Sequence, residues 1–256
     1  MPRLPRFLFT PRWLGLLAFA LLVAATCVRL GIWQLDRLEQ RRAFNASVRA
    51  GLTASPVELS TLAGRDPAAL AYRRVEVTGT YDPAREVLLY GRALNGEPGH
   101  HVLTPLVLER PVDGAEAVLV DRGWVPFELG TPPVAEAAPP SGRITVRGFL
   151  LPTTGEADVV IERGPGGRVL TVAHDEPGVI GRELGLSLFP LPLQLQRQDP
   201  PQAGALPEVV PPPELTEGPH LSYAIQWFTF ATIALVGYVL LVRREIRDRA
   251  RAAAGG

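Results

Sequence analysis

Residues 223–242, YAIQWFTFATIALVGYVLLV, form a run of twenty positions without a charge. At 1.5 Å rise per residue a run of this length crosses about 30 Å of hydrocarbon, and a helix is the one single-segment structure that satisfies all its backbone polar groups in lipid. The sequence RREIRDRAR follows at once, so Arg243, Arg244, Arg247, Arg249 and Arg251 crowd one end while His220 stands alone near the other. Cationic flanks stay in the cytoplasm, which predicts a spanning helix over 220–242 and a basic cytoplasmic tail over 243–256.

A second apolar run covers residues 13–28 (WLGLLAFALLVAATCV) and continues past Arg29 through Trp33. An Arg near a helix end lifts its head group to the interface, so residues 13–33 predict a first transmembrane helix behind a cytoplasmic stretch, 1–12. The competing reading is a cleaved signal peptide, because Arg3, Arg6 and Arg12 precede the run and small residues close it. Helical character that persists through Trp33 without a convincing cleavage site favours a retained helix. Cys27 reads as a small helix residue, since Thr26 precedes it where lipidation requires something smaller. Two spans with a cytoplasmic C-terminus leave the middle of the chain outside the cytoplasm.

Composition excludes several classes of function. The chain has 26 basic and 26 acidic residues, so no net field favours nucleic acid. All the basic residues are Arg, a codon bias that points to a GC-rich bacterial genome. With one Cys no intrachain disulfide can form. Copper delivery favours thiolate and thioether ligands, and the chain has one Cys and one Met. CxxCH, GxSxG, P-loop and HExxH motifs are all missing, so covalent haem attachment, hydrolase, phosphate-loop and zinc-protease readings have no motif. His100 and His101 are adjacent before a predicted strand, where neighbours point to opposite faces, which makes a shared metal awkward. His174, beside Asp175 and Glu176, reads as a solvated turn.

Between the helices the texture is that of a β-rich domain, residues 51–198. The segment QLDRLEQRRAFNASVRA after Trp33 lacks Gly and Pro, which predicts that the first helix continues to about residue 50. From Tyr72 onward, YRRVEVTGTY, EVLLYG, HVLTPLVLE, AVLVDRGWVP, ITVRGFLL and RVLTVA are short β-forming runs bounded by turns, read as antiparallel strands with one face buried. Val75 and Val77 alternate with Arg74, Glu76 and Thr78. A short helix is expected near 179–184 and a last strand in PLQLQRQ. Residues 199–219 are Pro-rich and predict an extended, semi-rigid connector back to the membrane. The fold class is therefore mixed, two transmembrane helices flanking one extracytoplasmic antiparallel β-rich domain.

The start of the second helix holds the most informative cluster, His220, Tyr223, Gln226 and Trp227 in HLSYAIQWF. His220, Tyr223 and Trp227 recur at i, i+3 and i+7, one stripe of a helix with an imidazole at the outer interface. An interfacial aromatic belt would have this pattern. So would a half-buried contact site, where a neutral imidazole serves as an axial ligand for haem iron.

Three blocks carry a resemblance to a known family. LGIWQLDR (residues 30–37, with Gly31, Trp33, Gln34 and Arg37), VLVDRGWVP (118–126, with Arg122, Gly123 and Trp124) and HLSYAIQWFTFA resemble the signatures of the Surf1 (Shy1 in yeast) cytochrome c oxidase assembly proteins. YRRVEVTGTYD and GHHVLTPL are similar more weakly. Asp121 stands where many members have Asn. The resemblance implies a non-enzymatic assembly factor of the bacterial plasma membrane, with cytochrome c oxidase subunit I and haem a synthase as partners. Bacterial members are thought to bind haem a transiently for delivery to subunit I, and the match makes His220 the haem contact and Trp227 its neighbour. A purely structural chaperone that holds an oxidase intermediate without cofactor is the alternative. For Trp33 the bland reading is an interface anchor, and for the Asp-Arg-Gly-Trp block a buried strand end.

Overall fold

The computed structural model describes residues 5–153 and 160–254. The chain divides into two units, Met1–Ala46 with Leu215–Gly256, and Ser47–Glu214.

The first unit is a helix pair. Helix α1 (Pro11–Thr53) starts on a proline, which suits a first turn whose N–H has no acceptor, and then runs through both the apolar segment and the polar one behind it. Its buried positions up to the boundary are Trp13, Ala20, Ala24, Cys27, Gly31, Leu38 and Asn45, with Leu17 and Gln34 half-buried between them. These alternate at spacings of three and four, the seam of a helix that packs lengthwise on a partner. The outward positions include Phe19, Leu21, Leu22 and Ile32, all exposed, as lipid contact requires.

The second unit is built on strands β1 (Val57–Glu58), β2 (Arg74–Tyr81), β3 (Val87–Leu94), β4 (Glu97–Val112), β5 (Ala115–Pro126), β6 (Ile144–Leu150), β7 (Ile161–Arg163), β8 (Val169–Val172) and β9 (Leu193–Asp199), with helix α2 (Pro177–Leu184) between the last two. The order is β1-β2-β6-β9-β5-β4-β3-β8-β7, and β2 also pairs with β4. That extra pairing closes β2, β6, β9, β5 and β4 into a ring, which removes the sheet edges those strands would otherwise expose. The ring is filled by Val75, Val77, Tyr81, Leu106, Val118, Val120, Ile144, Val146, Leu193 and Leu195, so each of the ring strands contributes.

Two expectations are corrected here. The strands are not uniformly antiparallel: among the described residues β1–β2, β3–β8 and β5–β9 are parallel pairs. Nor is one face alone buried. β5 is covered on both, because Val118 and Val120 fill the ring while Leu119 packs with Val87, Leu103 and Ile180 of α2 on the other side.

The Pro-rich tract also differs from a free connector. The backbones of Trp124 and Glu208 exchange two hydrogen bonds of 2.8 Å, Leu206 packs with Leu88, Val102 and Val125, and the Gln194 and Gln196 side-chain amides both donate to the Val210 carbonyl at 3.0 Å. Extended Pro-rich backbone cannot pair with itself, and the domain supplies the missing donors and acceptors. His174 is exposed as expected, but Glu176 beside it is buried.

Candidate functional site

Helix α3 (His220–Ala254) presents His220, Ala224, Trp227, Ala231, Ala234 and Tyr238 along its less exposed stripe. Small residues let it approach α1 closely, as they do in membrane helix pairs generally. Ala24, Cys27 and Ala231 form a buried cluster with Val23 and Trp227 against it. Gly31 faces Phe228 so tightly that an added Cβ would lie 2.7 Å from that ring, which explains a glycine there. Trp13 and Tyr238 meet edge to face further along.

At the other end of the seam His220 Nδ1 lies 2.9 Å from Gln34 Oε1. An amide oxygen only accepts, so Nδ1 is the donor, and among the described residues no hydrogen bond reaches Nε2. The turn before α3 is held in the same way. Asn45 Nδ2 donates to the Thr216 carbonyl at 3.0 Å, Arg41 Nε donates to it at 3.2 Å, and Arg42 pairs with Glu217 through two hydrogen bonds of 2.9 and 3.0 Å. Gly218 then turns with φ +69, and a Cβ on it would lie 3.6 Å from His220 Nε2, so the glycine sets no side chain against that edge of the ring.

Of the predicted cluster, His220 and Trp227 are half-buried in the seam, whereas Tyr223 and Gln226 are exposed. The i, i+3, i+7 stripe therefore splits, because a seam follows spacings of four and three and Ala224 takes the position next to His220. Trp33 is exposed, with the Arg37 guanidinium 5.6 Å from its ring centroid. Gln34 was legible as a signature residue but not as the partner of His220; the contact spans 186 positions and no local pattern announces it.

The Asp-Arg-Gly-Trp block lies in the β-domain and is buried there. Arg122 is 0% exposed. Its Nη1 lies 3.4 Å from Glu86 Oε2, its Nη2 donates to Gln202 at 2.8 Å, and its guanidinium stacks 5.3 Å from the Tyr81 centroid. Glu86 also accepts from Thr104 Oγ1 and the Val134 N–H. Burial pushes the Glu86 carboxyl up, against the pull of those donors and of Arg122. Gly123 has φ +132, and any Cβ would collide with the Glu208 carbonyl oxygen. Trp124 is buried, its indole over Gly99.

Asp121 accepts from the Gly123 N–H through Oδ1, and its Oδ2 meets His101 Nδ1 at 2.8 Å. The two adjacent histidines do separate, since His100 stacks on Phe127 with centroids 5.1 Å apart. Among the described residues no three metal-ligating side chains converge.

These features define a β-barrel domain carried between two helices that are long and apolar enough to span a membrane. A family model for the SURF1 family matches residues 21–232. An uncharacterised SURF1-like protein of Mycobacterium tuberculosis is 33% identical over 264 residues, covering 100% of this chain and 92% of the relative. A SURF1-like protein of Rickettsia conorii is 28% identical over 222 residues, covering 85% of this chain and 87% of its own. Surfeit locus protein 1 of mouse is 29% identical over 164 residues, covering 57% and 51%. The chain belongs to the SURF1 family, and membership supports a role in cytochrome c oxidase assembly.

Proposed function

We propose that this protein binds haem a through His220 and assists its transfer to subunit I of a bacterial cytochrome c oxidase, receiving it from haem a synthase. The carrying observation is the Gln34–His220 hydrogen bond, which joins two signature blocks and holds the ring through Nδ1, with no hydrogen bond to Nε2 among the described residues. An imidazole fixed through its other nitrogen is the usual form of a histidine ligand to iron. Gly218 places no side chain against that nitrogen, and Trp227 and the exposed Tyr223 offer aromatic surface to a flat apolar macrocycle. When bound, haem would supply an iron with an open axial position. The chain itself holds the ring orientation, keeps the proton on Nδ1 and anchors the site at the membrane interface.

The test is to purify the full chain from cells that make haem a and compare its absorption spectrum with that of His220→Ala. Wild type should carry haem and the variant should lose most of it at equal abundance. Equal haem in the two, or oxidase fully restored by haem-free His220→Ala, would replace this reading with the cofactor-free chaperone.

The proposed topology places both termini in the cytoplasm and the β-domain outside it, supported by the arginines after Val242. A reporter active only outside the cytoplasm and fused after Gly256 should be silent. An active one would reverse the assignment.

A further inference from the structure

Independently of haem, the β-domain carries a basic pocket that nothing in the assembly role uses. β5 and β9 pair only at Val120 with Leu193 and at Asp121 with Gln194. Beyond those positions the Pro-rich tract lies against β5, and a cavity of about 380 Å³ is left between it, β6 and the end of β9. Its lining includes Arg122, Arg147, Arg197, Gln198 and Gln202 against one carboxylate, Asp199. A volume of this size holds a small organic ligand.

Two observations mark it as a binding site rather than a solvated surface. Arg147 and Arg197 stand directly opposite each other in the β6–β9 ladder, an arrangement that like charges destabilise. Glu76 pairs with Arg147, but among the described residues Arg197 has no acidic partner. Second, Arg122 Nε and Gln198 Nε2 are buried with no acceptor, although both residues are more than nine-tenths buried and both line the cavity. Buried donors without acceptors are rare, and each loses hydration without return. An anion in the cavity relieves the like-charge pair, and the exposed, unpaired Arg197 is open to receive it.

We propose that this pocket binds a phosphate group, belonging either to a free phosphate ester or to a phospholipid head group. A carboxylate offers two oxygens and one charge, and with Glu86 and Glu76 already paired to Arg122 and Arg147 the cation left unmatched in the lining is Arg197. Phosphate offers more oxygens, up to two charges, and the geometry that arginine forks match. An adjoining cavity of about 600 Å³ shares Arg147 and Arg197 and adds Arg74 and Glu76, which gives room to whatever the phosphate is attached to.

The experiment uses the full chain in non-ionic detergent micelles, titrated with inorganic phosphate and followed by calorimetry. Saturable binding is expected, weakened about tenfold or more in Arg197→Gln, as loss of a charge-assisted hydrogen bond implies. Arg197→Lys should recover part of it, and Arg65→Gln, which lines neither cavity, should bind like wild type. Because Arg197 is exposed and faces a like charge, Arg197→Gln without phosphate should melt no lower than wild type. Repeating the titration in micelles containing phosphatidylglycerol separates the sources: prior occupation that competes with phosphate and vanishes in Arg197→Gln assigns a head group, and unchanged phosphate binding assigns a free ester. The proposal is overturned by no saturation below about 10 mM, by equal affinity in Arg197→Gln, or by acetate competing as well as phosphate.

Discussion

The Asp-Arg-Gly-Trp block and the His-Leu-Ser-Tyr block are equally good signatures in sequence, yet the molecule treats them in opposite ways. Arg122 is 0% exposed and Trp124 5%, each locked into the β-domain by partners from several strands. In the helix unit, by contrast, His220 and Trp227 are half-buried at a seam and Tyr223 is 47% exposed. A signature residue buried among the strands of its own domain is there for the fold. One held by a single nitrogen, with the other left open, is positioned for something else.

The largest expected effect breaks the first half of that contrast. Arg122→Ala would leave Glu86 buried without its cation, a change that typically costs about 3 to 5 kcal/mol, and Trp124→Ala would open a cavity costing a similar amount. Against a total of roughly 5 to 15 kcal/mol either loss should empty the membrane of protein, read as abundance by immunoblot. Abundant Arg122→Ala protein that fails to support oxidase would instead move Arg122 to the functional side.

Gln34 sharpens the second half. If it orients His220, Gln34→Leu should lower haem retention about 10- to 100-fold, the usual cost of removing a ligand's orienting partner, with abundance unchanged. Gln34→Glu keeps an acceptor for Nδ1 and should restore the spectrum. Loss in both variants would show that the residue acts through helix packing and not through the imidazole.

The two halves were not equally legible. Hydropathy exposed both helices because lipid imposes length and apolarity over contiguous residues. The β-forming runs exposed most strands for a similar local reason, and the alternation around Val75 and Val77 matches the observed burial. What escaped is non-local. The parallel β5–β9 pair depends on residues more than seventy positions apart, and Glu86, just before β3, is an ordinary acid until Arg122, 36 residues on, makes it a buried counter-ion. The docking of the Pro-rich tract was hidden too, since its composition suits extended backbone whether free or bound.

The comparison extends to the histidines of the β-domain. His101 is oriented by a charged acceptor, Asp121, where His220 has a neutral one, and His100 has its Nδ1 buried with no acceptor. Burial holds the His100 imidazole below its ordinary value of about 6.5. The folded protein therefore binds fewer protons than the unfolded chain in the window below that value, so stability rises with pH there and is lost as pH falls through it. Glu86 and Asp175 work the other way. Burial raises both carboxyls, so the folded state keeps protons the unfolded chain releases, and their contribution declines as pH rises above the ordinary carboxylate range. Replacing His100 with Phe keeps a ring against Phe127 and removes only the first effect. Melting temperatures of the full chain at about pH 7.5 and 5.5 should then fall less in His100→Phe than in wild type, by about 2 °C for a domain of this size. A wild-type slope that His100→Phe reproduces would assign the acid sensitivity to another group and leave His100 as a packing residue alone.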